Sequence, residues 1–177
     1  MKSKLSGISF QLSAALLLSC ATTATNGTAP TNPAEEFFPL AQGNAWSYDV
    51  DGTLVVLKVQ TRVGNNANLG EFSYEVHSDG IVRNPPGKYI LQSPATVGRE
   101  WALPGGGRAR ITSTDARVST PAGDYTGCLV VEETDLLGTR TLTTFARGVG
   151  PVEVLVTAGR QVTHAKLRGF TRAGEEI

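Results

Sequence analysis

Residues 70–83 read GEFSYEVHSDGIVR, and this stretch decides the fold class. Phe72, Tyr74 and Val76 alternate with polar residues, and a period of two is typical of a β-strand with one buried face. The pair Asp79-Gly80 then predicts a turn into a second apolar run. The stretch therefore indicates an antiparallel hairpin.

The same pattern continues along the chain from Phe37 onward, with strand signals at roughly 8–12-residue spacing and no helical periodicity. The predicted strands are residues 46–50, 53–62, 70–78, 81–83, 89–91, 108–113, 125–134, 139–146, 152–157 and 161–168. Many short strands joined by Gly-rich turns predict a mostly β protein with a single antiparallel curled sheet, because such a sheet must hide its edges. A barrel-like form and a bent sandwich both fit this pattern.

The N-terminus has the layout of an export signal. Lys2 and Lys4 precede an apolar run over residues 5–18, and the run ends at Leu17-Leu18-Ser19-Cys20. The run is shorter than the roughly 20 apolar residues that a membrane-spanning helix needs. We therefore expect residues 1–19 to be a signal peptide that is removed before Cys20.

The segment Leu17-Leu18-Ser19-Cys20 resembles the bacterial lipobox. The resemblance implies that the Cys20 thiol carries a diacylglycerol group, so the protein is anchored to a membrane through acyl chains. Ala21 replaces the Asp that typically retains such proteins in the inner membrane. By this resemblance the protein belongs to the cell envelope, and the outer membrane is favoured if the cell is Gram-negative.

The mature chain divides into a tether and one domain. Residues 20–35 are rich in Ala, Thr, Asn, Gly and Pro, and this composition predicts a disordered segment. Residues 36–177 form the predicted β domain, which has the length of a single domain.

The charge of the chain argues against nucleic acid as a partner. The whole chain has 16 basic and 16 acidic residues, and loss of Lys2 and Lys4 leaves 14 against 16, a net charge of −2. No basic run is present to attract a polyanion.

With Cys20 acylated, Cys128 has no partner within the chain, and it lies in a strand-like run. A buried inert thiol is the simpler interpretation and a reactive or intermolecular thiol the alternative.

Three segments of the domain resemble bacterial lipoproteins of unknown function. They are Phe37-Phe38-Pro39-Leu40 with Gly43-Asn44, Trp46 and Tyr48; Thr120-Pro121-Ala122-Gly123 with Tyr125 and Cys128; and Gly148-Val149-Gly150 with Val152. The resemblance covers residues 37–154 and implies a curled antiparallel β domain. It implies no activity, cofactor or site residue.

No motif in the sequence predicts a catalytic or metal site. His77 and His164 are the two histidines, and neither has the spacing of a metal ligand. Glu132 and Glu133 are adjacent on a predicted strand and must point to opposite faces, one to solvent and the other toward a strand end or the opening of the curled sheet. The Gly-rich residues 103–108 lack the Lys-Ser/Thr of a phosphate-binding loop and predict a hairpin loop, with part of a ligand mouth as the alternative. We expect no cofactor and no metal.

These observations favour a non-enzymatic envelope lipoprotein that binds or scaffolds a protein, glycan or lipid partner. The alternatives are a lipocalin-like carrier of a hydrophobic small molecule and an enzyme whose site is not visible in the sequence. Trp46 and Tyr48 share a strand face and are most simply core aromatics, but together with Trp101 they are also candidates to line a ligand cavity.

Overall fold

The computed structural model describes residues 32–175, which form one antiparallel sheet preceded by a short 3-10 helix, Pro33–Glu36. The strands are β1 (Ala45–Val50), β2 (Thr53–Val63), β3 (Asn66–Leu69), β4 (Phe72–His77), β5 (Gly80–Asn84), β6 (Lys88–Gln92), β7 (Glu100–Ala102), β8 (Arg108–Thr120), β9 (Gly123–Thr134), β10 (Arg140–Ala146), β11 (Gly150–Ala158) and β12 (Gln161–Thr171). The predicted signal peptide, Cys20 and most of the predicted tether lie outside these residues.

The sheet is a meander whose first and last strands pair with each other. The strand order is β6-β5-β4-β3-β2-β1-β12-β11-β10-β9-β8-β7, so β6 and β7 are its edges. Side chains connect these edges: the Trp101 indole donates to the Tyr89 carbonyl at 3.2 Å, and Arg99 Nε donates to Gln92 Oε1 at 3.1 Å. The predicted fold class is therefore confirmed, and the sheet is nearly closed into a barrel.

Turn chemistry fixes the register of the hairpins. Asp51 and Gly52 both have positive φ, 48° and 87°. A two-residue hairpin turn needs positive φ at both positions if its twist is to match that of the strands. At Gly80 a Cβ atom would lie 2.2 Å from the Leu91 carbonyl oxygen, so only glycine allows β5 and β6 to approach this closely.

Three parts of the sheet were not predicted. Strands β3 and β7 are absent from the predicted set, and β8 continues to Thr120 instead of ending at residue 113. Strand β3 contains two Asn residues, and β7 has three residues in all. Strand β3 alternates Asn with the buried Ala67 and Leu69, but both strands are too short for alternation to predict them, so pairing with neighbouring strands determines them.

One end of the barrel is closed by residues 32–40, here called the plug. Asn32 caps the 3-10 helix by accepting a hydrogen bond from the Ala34 amide at 2.7 Å, and Phe37, Phe38 and Leu40 are buried. The Gly148 amide donates to the Glu36 carbonyl at 2.6 Å. The predicted boundary between tether and domain, at residue 36, therefore falls inside an ordered segment that packs on the barrel.

Within residues 32–175, the structure has no helix of the length and apolarity needed to cross a membrane.

Candidate ligand cavity

The barrel contains a partly open cavity of about 340 Å³, whose lining extends from Phe38 in the plug to Val50, at the end of β1 opposite the plug. Its eighteen lining residues come from the plug and from most strands around the barrel: Phe38, Trp46, Tyr48, Val50, Val55, Leu57, Leu69, Tyr74, Arg83, Lys88, Ile90, Glu133, Thr141, Thr143, Phe145, Pro151, Val154 and Ala165. Three of these residues are charged and most of the others are apolar. An apolar recess with a few polar groups is the usual form of a small-molecule site.

Strand alternation and register bring these side chains inward. In β1, Trp46 and Tyr48 point to the interior, and their partners in β2 are Leu57 and Val55. On the other side of the barrel, Val154 lies in β11 opposite Ala165 in β12. Because side chains alternate between the faces of each strand, one inward-facing set forms a continuous wall.

The floor of the cavity is aromatic. Phe38 lies edge-on to Trp46, with ring centroids 5.7 Å apart, and 6.4 Å from Phe145. All three side chains are almost completely buried, with exposed fractions of 4% or less. The plug therefore closes the barrel below the cavity without filling it.

The polar atoms of the aromatic wall are already hydrogen-bonded. Trp46 Nε1 donates to the Val149 carbonyl at 2.6 Å, and the Tyr48 hydroxyl donates to the Pro151 carbonyl at 2.7 Å. Burial raises the pKa of Tyr48 far above its ordinary value, so this hydroxyl keeps its proton. Trp46 and Tyr48 therefore present ring surface to the cavity, not polar groups.

Two of the three charged lining residues form an ion pair. Lys88 Nζ lies 2.5 Å from a Glu133 carboxylate oxygen, and both side chains are mostly buried. Lys88 lies on edge strand β6 and Glu133 on β9, so the pair connects the two sides of the barrel where β7 is short. The charges of this pair cancel.

The third charged residue, Arg83, has no acidic partner. Among residues 32–175, no carboxylate oxygen lies within 4.0 Å of its guanidinium nitrogens, and its buried Nε atom has no hydrogen-bond partner. The guanidinium group lies 4.5 Å from the centre of the Phe72 ring. Burial raises the pKa of Tyr74, and the adjacent positive charge of Arg83 and its hydrogen bond oppose that rise.

The structure brings two of the three predicted cavity residues to the site. Trp46 and Tyr48 line the cavity, whereas Trp101 is not among the lining residues. Trp101 pairs with Ala109 of β8, and its indole donates to Tyr89 across the gap between the edge strands. Its ring therefore contributes to closure of the barrel.

The adjacent carboxylates point to opposite faces, as predicted. Glu133 faces the mouth of the cavity, while Glu132 lies outside and accepts two hydrogen bonds from Arg140, at 2.8 and 3.1 Å. These hydrogen bonds with the Arg140 guanidinium lower the pKa of Glu132. The two carboxylates do not share a site.

Both histidines lie on the outer surface, beside carboxylates. His77 lies 3.3 Å from Glu75, and His164 lies 2.8 Å from Glu153. Among the described residues, no group of three His, Cys, Asp or Glu side chains is placed to hold a metal ion.

The Gly-rich loop and Cys128, both considered in the sequence, lie outside the cavity lining. The Gly-rich loop after β7 lies at the open end, where Gly106 packs against Leu136 of the loop between β9 and β10, but it does not line the cavity. The Cys128 side chain is completely buried, and this burial raises the pKa of its thiol. Its environment therefore disfavours the reactive thiolate.

Two of the three segments that resemble bacterial lipoproteins meet in space, the first (residues 37–48) and the last (residues 148–152). Trp46 and Tyr48 of the first segment donate hydrogen bonds to residues in and next to the last one, across 103 positions of the chain. A Cβ atom on Gly150 would lie 3.0 Å from Trp46 Nε1. These segments therefore position the floor of the cavity.

A second depression, of about 500 Å³, lies at the plugged end. It is lined largely by exposed residues, among them Pro33, Asp79 and Arg147. Its position on the outer surface makes it a weaker candidate for a ligand site than the recess inside the barrel.

Arg83 and Lys88 line the cavity but were not predicted from the sequence. Arg83 follows the buried Ile81 at a spacing of two and therefore lies on the same strand face, a signal that the alternation could have provided. Lys88 gave no such signal, because its strand is short and separated from β5 by a turn.

Comparison with known proteins supports the fold. No protein-family model matches the chain, and no curated protein matches it significantly. A solved structure from Bacteroides fragilis, described as an exported protein with a YmcC-like fold, superposes with a TM-score of 0.50 at 11% identity, covering 77% of this chain and 99% of the other. At this identity the match shows a shared fold and no more.

A second solved structure is described as a lipoprotein from Parabacteroides distasonis. It has a TM-score of 0.44 and 12% identity, and the match covers 76% of this chain and 98% of that protein.

Proposed function

We propose that this protein is an envelope lipoprotein that binds a hydrophobic small molecule inside its barrel. The observation that carries the proposal is the apolar cavity of about 340 Å³, closed by the plug and open at the opposite end. Its volume lies within the range of about 300–1,000 Å³ that is usual for small-molecule sites. Of the functions considered from the sequence, the lipocalin-like carrier is the one that this geometry favours.

The proposed anchor is the acylated Cys20, in an envelope membrane and by preference the outer membrane. Its support is the lipobox-like sequence, and the two structural neighbours are described as an exported protein and a lipoprotein. The described chain begins at the plugged end. An anchor upstream of Asn32 would therefore attach the barrel to the membrane by its closed end.

Binding of an uncharged naphthylamine dye tests the proposal, because such dyes fluoresce more strongly in an apolar environment. We expect the protein to bind about one dye molecule. The variant Val154→Trp fills the cavity and should weaken binding at least tenfold, because Val154 lines it.

The matched control is Leu155→Trp. This residue is the next one on β11 and points to the outer face, so the same substitution there should leave dye affinity within about twofold. Absence of dye binding by the parent protein, or equal binding by both variants, would contradict the proposed function.

A further inference from the structure

We infer that the ligand is an amphiphile with an anionic head, and that its carboxylate binds Arg83 at the cavity mouth while its alkyl tail lies on the aromatic floor. This inference rests on the proposed function and names the class of ligand. It comes from the distribution of charge in the lining.

The lining has a net charge of +1. Of its three charged residues, Lys88 and Glu133 neutralise each other at 2.5 Å, so the Arg83 charge is uncompensated. A partly buried charge without a partner is unfavourable, and an anion from the ligand would relieve this cost.

The guanidinium group is also placed to form directed hydrogen bonds. Its Nε atom is buried without a partner, and its Cζ atom lies over the Phe72 ring, 4.5 Å from the ring centre. Arginine presents a planar set of donors that matches the two oxygens of a carboxylate. A neutral hydroxyl would accept only one, weaker hydrogen bond from this group, and a cationic head would be repelled by it.

The rest of the cavity fits an alkyl tail. Below Arg83, the wall consists mainly of aliphatic and aromatic side chains, and the polar atoms of Trp46 and Tyr48 are hydrogen-bonded to the backbone. A polar tail would find few partners there. The cavity therefore combines one anion-binding group with an apolar recess.

The test compares decanoate with decanol, which has the same chain length and no charge. Calorimetric titrations at pH 7 use the full chain with Cys20→Ser, so that no acyl chain of the protein takes part. We expect decanoate to bind at least tenfold more tightly than decanol, since a hydrogen-bonded charge pair typically contributes about a factor of ten or more.

Arg83→Met removes the charge and keeps an unbranched apolar side chain. It should reduce decanoate affinity about tenfold and leave decanol affinity within about threefold, and retained decanol binding shows that the variant is folded. Arg117→Met, on the outer face of β8, is the matched control and should change neither affinity.

Three outcomes would overturn the inference. They are equal affinities of the parent protein for decanoate and decanol, unchanged decanoate affinity in Arg83→Met, or loss of both ligands in a folded Arg83→Met. Failure of the parent protein to bind either ligand would instead refute the proposed function itself.

Discussion

At the scale of single residues, a few buried polar groups join parts of the barrel that are distant in sequence. Tyr48 shows this most simply, because its hydroxyl donates to the Pro151 carbonyl while its ring lines the cavity. Sequence alternation predicted that Tyr48 faces inward, but it did not identify the carbonyl that it contacts. That contact depends on the pairing of β1 with β12 and of β12 with β11.

Tyr48→Phe should lower the free energy of unfolding by about 1–2 kcal/mol, because it leaves the Pro151 carbonyl without its donor. Urea denaturation measures the change. Tyr89→Phe provides the control: the Tyr89 hydroxyl donates to Asp79 at 2.9 Å on the surface, so its loss should cost less than about 0.5 kcal/mol. Equal costs for the two variants would contradict the assignment of Tyr48.

Tyr48 also predicts a pH dependence. Burial raises its pKa in the folded state, so its contribution to stability is complete below the pKa of an unfolded tyrosine, about 10, and decreases as the pH rises above that value. Chemical denaturation between pH 8 and pH 11 should therefore show a loss of stability that is smaller in Tyr48→Phe. An identical alkaline loss in both proteins would exclude Tyr48 as its source.

The Cys128 thiol should be unreactive in the folded protein. It is completely buried and its pKa is raised by that burial, so an aromatic disulfide reagent should modify it only as fast as the barrel opens. In urea the reaction should be complete within seconds to minutes. Rapid modification of the native protein would favour the alternative interpretation of a reactive thiol.

At the scale of elements, the plug converts an open curled sheet into a cup. The start of its 3-10 helix can be read from the sequence. Asn32 and Pro33 precede two acidic residues, which is the usual order at the start of a helix. The composition of the preceding segment nevertheless predicted a tether through residue 35. Composition averages over a window and does not detect a single capped turn.

Asn44 holds the plug to the last strand region. Its side chain donates to the Pro39 carbonyl at 2.8 Å and accepts from the Ala173 amide at 2.9 Å. Asn44→Ala should therefore destabilise the protein by about 1–2 kcal/mol, because this buried side chain makes two hydrogen bonds, one to the plug and one to the segment after β12.

The exposed Asn68 provides the comparison for Asn44. It donates to Thr61 on the surface at 2.9 Å, and Asn68→Ala should change the free energy of unfolding by less than about 0.5 kcal/mol. Thermal and urea denaturation of both variants would measure the difference, and a similar small effect at Asn44 would contradict its role in holding the plug.

At the scale of the whole molecule, the sequence predicted a curled sheet but left open whether it forms a barrel or a bent sandwich. Turn dipeptides such as Asp-Gly and the alternation of apolar and polar residues are local signals. They were sufficient to predict ten of the twelve strands of residues 32–175. Closure depends instead on the contact of Trp101 with Tyr89, between the two edge strands, and on that of Lys88 with Glu133, between edge strand β6 and β9. Neither contact has a local sequence pattern. The same reason explains why Trp101 was expected in the cavity.

The size of the cavity predicts a dependence on chain length. At about 30 Å³ per water-sized group, a volume of 340 Å³ holds roughly eleven such groups. Affinity for straight-chain carboxylates should therefore increase about fourfold per methylene, up to a chain of roughly ten carbons, and then level off. Titration with octanoate, decanoate and tetradecanoate measures this, and a continuous increase would indicate binding outside the barrel.

The most direct test is a crystal structure of the chain with decanoate. We expect density for the alkyl chain between Trp46, Phe145 and Val154, with the carboxylate at Arg83. An interior filled by repacked side chains, with decanoate absent or held on the outer surface, would contradict the account of the barrel as a ligand-binding cup.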